Sequence, residues 1–356
     1  MSILGFKKKN TLVLVAAAAI FASGVGVYKS NAAGRVDLNA DVTITAVVDS
    51  VNDTSEFAQK YVGDVEIELY KIADLDAAGN PIISDEFKAS DIDLSVIDSD
   101  TTVEETKTKI VEPADKFVAE NRAKLTKVVI DGNKTADGMT ASKTIKNGAG
   151  LYFYRVSNTV QDAENTYIFT PAVFFAPTSE RIVSGQGADT WNYNVTIAPK
   201  AKAERRYGDL EINKTLKTFN KSLGTASCVF EVEGIDSSNK TVFSNVYTMN
   251  FDSADTQTIK IEHIPSNIIC KVTEVYSGAS YSEVAVPVEN SSENGVRIIA
   301  DEVVDVNFAN DYDDRLNVGG LGVENHFEQN KTEADGTTGF SYDWKGSNLP
   351  SSTEDN

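Results

Sequence analysis

Short runs in which apolar and polar residues alternate recur along most of this chain, and they constrain its fold more than any other feature. Runs of this kind before residue 200 are VTITAVV, DVEIELYKI, LYFYRV, YIFTPAVFF and WNYNVTI. Because successive side chains of a strand point to opposite faces, a period of two is typical of half-buried β-strands. Turn residues separate the runs, as in DAAGNP and NGAG. The sequence therefore predicts an all-β fold.

One segment departs from this period. In VEPADKFVAENRAKL, residues 111–125, the apolar residues are near helical spacing: Val111, Phe117, Val118 and Leu125. Pro113 would lie in the first turn, where a helix tolerates proline. We expect a short amphipathic helix inserted into the first domain.

The β pattern divides into two blocks. The stretch KAKAERRYG, residues 200–208, is charged and poor in apolar residues, so it is the best candidate for a domain boundary. About seven short strand candidates follow between Asp209 and Tyr312, as in a β-sandwich. Beyond Arg315 the chain is polar. We predict tandem Ig-like β-sandwiches at 34–203 and 204–315, and a weakly ordered tail at 316–356.

The N-terminus is typical of a secretory signal peptide, residues 1–33. A basic segment, MSILGFKKKN, precedes an apolar run and small residues. We expect cleavage after Ala32 or Ala33 and therefore secretion. The alternative is an uncleaved membrane anchor, because the apolar run from Thr11 to Val27 is nearly long enough to span a bilayer.

Composition disfavours several functional classes. Acidic residues outnumber basic ones by 53 to 33, which gives a formal net charge of −20. Such a charge repels nucleic acids and anionic membrane surfaces. The chain has 2 histidines and lacks GxSxG, HExxH, CxxC and phosphate-loop motifs. We expect no turnover enzyme, no cofactor and no metal site, although a hydrolase based on paired carboxylates stays open as an alternative.

Three polar residues of the second block lie on the apolar faces of their strands. Lys214 shares a face with Leu210 and Ile212, Glu274 shares one with Val272, and Asn310 alternates with apolar neighbours on the last strand. An unpaired buried charge is costly. Three residues of complementary chemistry in one domain therefore indicate a single buried cluster.

Two interpretations of this cluster are open. Lys214 and Glu274 can form a buried salt bridge with Asn310 as a hydrogen-bonding neighbour. Alternatively, burial favours a neutral amine and a neutral acid, so the Lys214 amine can attack the Asn310 side-chain carbonyl. Glu274 would polarise that carbonyl and transfer protons, ammonia would leave, and an isopeptide bond would form.

The chain contains 2 cysteines, Cys228 and Cys270, and both face the predicted core. A disulfide is permitted in an exported protein, and two buried free thiols are the alternative.

At these residues the chain resembles the Cna protein B-type (Cna-B) domains of Gram-positive surface proteins, and more closely the backbone subunits of sortase-assembled pili. The resemblance implies an isopeptide bond between Lys214 and Asn310 that Glu274 catalyses. The stretch CKVTEVYSGASY, residues 270–281, resembles the pilin E-box YxLxETxAPxGY. Glu274 and Tyr281 match this E-box, and Val272 replaces its leucine. Departures from the pattern occur at Val275, Ser277, Gly278 and Ser280.

A second motif supports the resemblance. WNYNVTIAPK resembles the pilin motif WxxxVxVYPK, with matches at Trp191, Val195, Pro199 and Lys200. Ala198 stands where the family has tyrosine. In that family the motif lysine is the nucleophile that joins one subunit to the next. The resemblance therefore implies that Lys200 accepts a neighbouring subunit in a sortase reaction.

The resemblance implies a secreted protein of the cell surface or a fimbrium, with a sortase and other pilin subunits as partners. A non-polymerising adhesin that binds host or matrix ligands is the alternative. An LPxTG-type sorting signal is missing from the sequence, where the nearest string is LPSST, residues 349–353. Three explanations are open. The chain is truncated, or the protein does not build a shaft alone, or an uncleaved N-terminal segment retains it at the membrane.

Lys71, in VEIELYKIAD, also falls on an apolar face, with Ile67 and Leu69. A second isopeptide bond in the first domain is therefore conceivable. No partner is evident, because Asn192 and Asn194 fall on the polar face of their strand.

Overall fold

The computed structural model describes residues 35–98, 101–180, 190–278, 280–284 and 295–314. The chain forms two compact units. The first unit contains the residues up to Leu210 together with Ile261–Ile268 and Arg297–Val304, and the rest belongs to the second. The predicted signal peptide and the predicted tail at 316–356 lie outside the described residues. The proposed division between residues 203 and 204 stays a prediction.

Alternating sequences of the first unit form short strands. In chain order these are β1 (Val42–Val48), β2 (Gly63–Leu75), β3 (Pro81–Ile83), β4 (Val128–Lys134), β5 (Met139–Ile145), β6 (Gly150–Val156), β7 (Asn165–Phe169), β8 (Ala172–Ala176), β9 (Thr178–Glu180), β10 (Thr190–Asn192), β11 (Asn194–Ile197) and β12 (Ala201–Arg205). The largest sheet has the order β3-β2-β6-β8, with β4 also paired to β2. A second sheet has the order β11-β1-β5, and two-stranded pairs join β9 to β10 and β7 to β12.

The core of this unit follows from strand parity. Every second residue of β1 is buried, and these residues pack against apolar side chains of β2, β6 and β11. Aromatic rings extend the same core, with Phe57 in contact with Tyr61, Tyr167 and Phe169. The alternation in the sequence therefore corresponds directly to an inward and an outward face.

The predicted helical insertion is confirmed. After α1 (Glu56–Lys60), the chain forms α2 (Val103–Thr106), a π-helical turn (Lys107–Val111) and α3 (Glu112–Asn121), and two 3-10 turns precede α2 at Asp85–Phe87 and Leu94–Val96. A capping box between Thr102 and Glu105 starts α2. Buried residues of the π turn and α3 pack against the face of β2 and β6 that points away from the main core: Ile110, Val111, Ala114 and Val118.

The second block forms eight strands among the described residues. They are β13 (Tyr207–Leu216), β14 (Ala226–Ile235), β15 (Thr241–Phe251), β16 (Asp255–Pro265), β17 (Ile269–Tyr276), β18 (Tyr281–Val284), β19 (Val296–Arg297) and β20 (Val303–Tyr312), with one 3-10 turn at Lys221–Leu223. Two four-stranded sheets result, in the orders β16-β13-β20-β18 and β15-β14-β17-β19. The rings of Phe230 on β14 and Phe308 on β20 lie 5.1 Å apart, so the two sheets pack face to face. With both blocks built from β-sheets, the predicted all-β class is confirmed.

Two predicted elements around residue 200 differ in the structure. The motif WNYNVTI is divided at Tyr193, because β10 pairs with β9 whereas β11 pairs in parallel with β1. The predicted connector is largely the strand β12, which pairs with β7. Its exposed residues Lys202 and Glu204 are charged, which gives this strand the composition of a linker. Finally, none of the described helices has the length and apolar character that a membrane crossing requires.

Candidate functional site

Lys214 lies in the middle of the inward face of β13. Its side chain is fully buried, and its Nζ atom is 6.0 Å from the centre of the Phe230 ring and 5.9 Å from that of Phe308. Burial lowers the pKa of Lys214 below its usual value, although a hydrogen bond with Glu274 opposes this shift. A lower pKa increases the fraction of neutral amine, which is the nucleophilic form.

Glu274 reaches Lys214 from the opposite sheet. The Lys214 Nζ atom is 2.8 Å from Oε1 and 2.9 Å from Oε2 of Glu274. A β-bulge follows directly, because Glu274 pairs with Phe230 and Tyr276 pairs with Val229, which leaves Val275 unpaired. Bulges change the direction of side chains and strand ends. This one ends the regular ladder beside the cluster.

Asn310 completes the cluster from β20 and is also fully buried. Its Nδ2 atom donates hydrogen bonds to Glu274 Oε1 at 3.0 Å and to the main-chain oxygen of Ser277 at 3.1 Å. Its Oδ1 atom is buried and has no hydrogen-bond partner among the described residues. The structure therefore brings together all three residues that the strand parity selected.

The Ser277 carbonyl determines the orientation of the Asn310 amide. A main-chain carbonyl can only accept a hydrogen bond, so the amide nitrogen and not the amide oxygen must face it. Glu274 consequently contacts two nitrogen atoms, the Lys214 amine and the Asn310 amide. In this arrangement Glu274 contacts the Asn310 amide nitrogen, and the expectation that it polarises the Asn310 carbonyl stays a prediction. Its carboxyl group is placed to carry a proton from the amine to the amide nitrogen.

Sequence reasoning gave no role to Ser277 or Cys228 in this cluster. The Cys228 thiol is fully buried and donates a weak hydrogen bond, at 3.8 Å, to the same Ser277 carbonyl. Burial raises the pKa of Cys228 to about 12, so the thiol stays protonated beside the cluster. No sequence signal pointed to the Ser277 carbonyl, because any residue type supplies that atom.

The disulfide alternative is not what the structure contains. Cys228 and Cys270 are both free and buried. Cys270 pairs with Gly234 on β14, which is six residues from Cys228 along that strand. This separation is about 20 Å, whereas a disulfide needs Cα atoms within about 7 Å. Strand parity put both thiols in the core, but only the register shows how far apart they are.

The pilin-like motif lies at the end of the first unit's β11. Val195 and Ile197 are buried against β1, and Pro199 is also buried, whereas Lys200 is exposed. Trp191 is separated from these residues by the break at Tyr193 and packs with Val36, Leu75 and Ala149. The motif therefore presents one accessible lysine from a fixed backbone, since the Lys200 carbonyl accepts a hydrogen bond from Thr170 at 3.2 Å.

A groove of about 510 Å³ lies beside Lys200, which is one of its lining residues. Most of its lining is apolar and includes Val111, Val173, Phe174, Ile197 and Ala198. Charged side chains at the same groove are Lys107, Glu112 and Asp115. The sequence could not reveal this groove, because the inserted helices, β8 and the motif are far apart along the chain.

Lys71 does not occupy the buried position that its parity predicted. It pairs in register with Tyr152 on β6, and the register shift of β2 begins only after it, so it keeps the strand face of Leu69. Its side chain is 34% exposed, and its Nζ atom forms an ion pair with Asp74 at 2.6 Å. The solvent exposure and the ion pair with Asp74 remove the basis for a second isopeptide bond at Lys71.

Glu68 forms a different buried cluster in the first unit. Its carboxylate accepts hydrogen bonds from Arg122, Lys127 and Tyr70. Burial alone would raise the pKa of Glu68, but these hydrogen bonds outweigh burial and hold the pKa at about 2. Lys134 is also fully buried and donates to the Thr135 carbonyl at 2.7 Å. Within the described residues, no group of three or more His, Cys, Asp or Glu is arranged to hold a metal ion.

No family model matches the chain, and no curated protein matches it. Solved structures that it resembles include Gram-positive pilins. The streptococcal ancillary pilin is 12% identical, with a TM-score of 0.27 over 77% of this chain and 69% of that one. The minor pilin GBS52 of Streptococcus agalactiae is 14% identical, with a TM-score of 0.22 over 76% and 95%. The T-13 major pilin of Streptococcus pyogenes is 12% identical, with a TM-score of 0.25 over 79% and 100%.

Proposed function

We propose that this chain is a structural, pilin-like subunit of a covalently assembled bacterial surface fibre, and that its second unit is locked by an isopeptide bond between Lys214 and Asn310. The observation that carries the crosslink is the contact of Glu274 with both reacting nitrogen atoms. The alternative is a buried salt bridge with Asn310 as a hydrogen-bonding neighbour, in which no covalent bond forms.

The reaction is a single acyl transfer. The neutral Lys214 amine attacks Cγ of Asn310, and a new C–N bond forms as the carbonyl becomes tetrahedral. Glu274 takes a proton from the attacking nitrogen and delivers one to Nδ2 of Asn310. The bond between Cγ and Nδ2 then breaks, and the products are one amide and one ammonia. Glu274 ends in its starting state.

The crosslink would have a mechanical consequence. It joins β13, the first strand of the sandwich, to β20, its last strand, and these strands are neighbours in one sheet. A force applied to the two ends of the unit would then act on a covalent bond and not on the hydrogen bonds between strands. Such a unit suits a subunit that works under tension.

Intact-mass measurement of the full chain tests this proposal. We expect the wild-type mass to be lower than the unmodified mass by one ammonia, and Lys214→Ala and Glu274→Gln to have the full mass. Lys217→Ala is the matched control, because Lys217 is an exposed lysine just after the same strand. A wild-type protein with its full mass, once cysteine oxidation is accounted for, would exclude the crosslink.

We propose further that Lys200 joins the chain to a neighbouring subunit in a sortase reaction. Its exposure and its place beside a largely apolar groove support this role, because the amine is accessible and the groove can hold an extended acyl donor. The alternative is a monomeric adhesin that presents its sandwiches to a host or matrix ligand.

Incubation with a sortase and a peptide donor that carries its sorting motif distinguishes these alternatives. We expect one conjugate on the wild-type chain and none on Lys200→Ala. Lys202→Ala is the control, since the Lys202 side chain is 79% exposed only two residues away. Conjugation that persists in Lys200→Ala would refute the assignment. An absence of conjugates together with saturable binding to a matrix protein would favour the adhesin.

A further inference from the structure

The outermost strand of one sheet in the second unit, β15, differs from the other sheet edges. It pairs with β14 on one side, and no described strand pairs with its other side. An open edge exposes unpaired main-chain groups, which invite pairing with another chain. Proteins usually protect such edges by making them short or by placing charged side chains on them.

Among the described residues, the other three edges of the sandwich have this protection. β18 has 4 residues and β19 has 2. β16 is long, but it carries Asp255, Lys260 and Glu262 and ends at Pro265. In contrast, β15 has 11 residues, TVFSNVYTMNF, and none of them is charged. In a chain with a formal net charge of −20, an edge strand of this length without a charged residue is unusual.

Hydrogen bonds outside the ladder show which main-chain groups of β15 face outward. The Val246 amide donates to the Asn245 side chain at 2.9 Å, and the Asn250 carbonyl accepts from the Gln257 side chain at 2.9 Å. Neither bond goes to β14. Because the direction of main-chain groups alternates along a strand, the even-numbered residues direct their N–H and C=O groups away from β14. Ser244 and Thr248 therefore belong to the same outward set.

We propose that β15 of one chain pairs antiparallel with β15 of a second copy, about a two-fold axis near Val246. Val246 is the midpoint of the strand and is 59% exposed. Pairing across this axis places Val246 opposite Val246 of the second copy, and Ser244 opposite Thr248 of the second copy. The main-chain N–H and C=O groups of all these residues point outward from β14. The exposed Asn245 side chain would rotate away from the Val246 amide. The hydrogen bond from the Gln257 side chain to the Asn250 carbonyl would stay in place.

Charge explains why a second copy fits this edge. Two chains of the same negative charge repel each other, so they associate best where the contact surface is uncharged. The acidic residues beside the middle of the strand, Glu231 and Glu233, lie on β14 opposite Val246 and Ser244. Across the proposed pair they are about three strand spacings apart, roughly 14 Å, which exceeds the Debye length of about 8 Å at physiological salt. A two-fold axis also brings the same strand of the two copies together, so one strand supplies both sides of the interface.

One strand pair buries less surface than a standard interface, so the isolated dimer should be weak, with a Kd of about 0.1 to 1 mM. It would become significant where many copies are held side by side, because linked sites bind with high effective concentration. This association is independent of the crosslink and of Lys200.

Sedimentation velocity of the full chain, from about 10 µM to about 1 mM, tests the proposal. We expect a concentration-dependent dimer in the wild type and a monomer at every concentration in Val246→Lys. Val303→Lys is the matched control and should dimerise normally, because Val303 is 49% exposed but lies on β20, in the other sheet of the sandwich. Ser244→Pro removes an outward N–H without touching the ladder to β14, and should weaken dimerisation at least tenfold.

A covalent readout keeps the test decisive if Val246→Lys folds poorly. Val246→Cys should form disulfide-linked dimers under mild oxidation, because residues opposite each other on antiparallel strands have Cα atoms about 4.5 to 5.5 Å apart. Val303→Cys should not. A wild-type chain that stays monomeric at the highest concentration, or a Val246→Lys dimer as strong as the wild type, would overturn the proposal.

Discussion

Both units bury a glutamate beside a lysine, yet the two clusters differ in chemistry. In the first unit, Glu68 is fully buried, but the side chains of Arg122 and Lys127 are 43% and 35% exposed. Water stabilises these cations, and their hydrogen bonds hold the pKa of Glu68 at about 2. This is a structural ion cluster that ties β2 to the end of α3 and the start of β4.

In the second unit the lysine itself is removed from water. Lys214 is fully buried beside two aromatic rings, and burial lowers its pKa. A carboxamide takes the place of the second cation and offers an electrophilic carbon. Solvent access to the lysine, more than the presence of a carboxylate, therefore separates the ion cluster of the first unit from the site proposed to react in the second.

Removal of the reactive lysine should have the largest effect. Lys214→Met eliminates the nucleophile, keeps most of its volume and releases the constraint on the chain between β13 and β20. By analogy with a disulfide that closes a loop of roughly 100 residues, we expect the second unit to lose about 4 to 5 kcal/mol of unfolding free energy. Chemical denaturation, compared with Lys217→Ala, measures this loss. Equal stability of the two variants would contradict a covalent crosslink.

Acidification should reduce the stability that the Glu68 cluster gives to the first unit, over a defined pH range. Because the folded-state pKa of Glu68 is depressed from 4.5 to about 2, its contribution to stability is complete above pH 4.5 and is lost as the pH falls through about 2. Glu68→Gln should cost about 1 to 3 kcal/mol at neutral pH and flatten the decline between those values.

The measurement for Glu68 is thermal unfolding across that pH range. Glu66→Gln serves as the control, on the same strand but with a half-buried side chain. An unchanged pH profile in Glu68→Gln would show that other carboxylates cause the acid sensitivity of the unit.

The smallest effect concerns the thiols. Cys228 and Cys270 are fully buried, and burial raises the pKa of each to about 12. We expect no reaction with an alkylating reagent at neutral pH in the folded chain, two alkylations after denaturation, and no change in stability on addition of a reductant. Rapid labelling of the native protein would indicate that the sandwich opens readily near Ser277.

Strand parity predicted much of the candidate site. It placed Lys214 and Asn310 on inward faces, and the structure buries both completely. The same reasoning failed at Lys71, which keeps the strand face of Leu69 but is 34% exposed and paired with Asp74. It also could not measure the distance between Cys228 and Cys270, since parity assigns a face but not a position across strands.

The sequence by itself determined the properties that depend on local periodicity. These are the all-β class, the helix over Glu112–Asn121 and the inward direction of the reactive residues. A period of two or 3.6 residues acts within one segment, so it can be read without knowledge of the fold.

Tertiary structure alone decided the properties that depend on register and on contacts between distant segments. These include the Ser277 carbonyl that orients Asn310, the groove beside Lys200 and the open edge of β15. The first two arise where segments far apart in the chain meet, and the third arises where no described strand pairs. Main-chain carbonyls, bulges and sheet edges do not depend on one particular residue type, so only the packed structure shows where they lie.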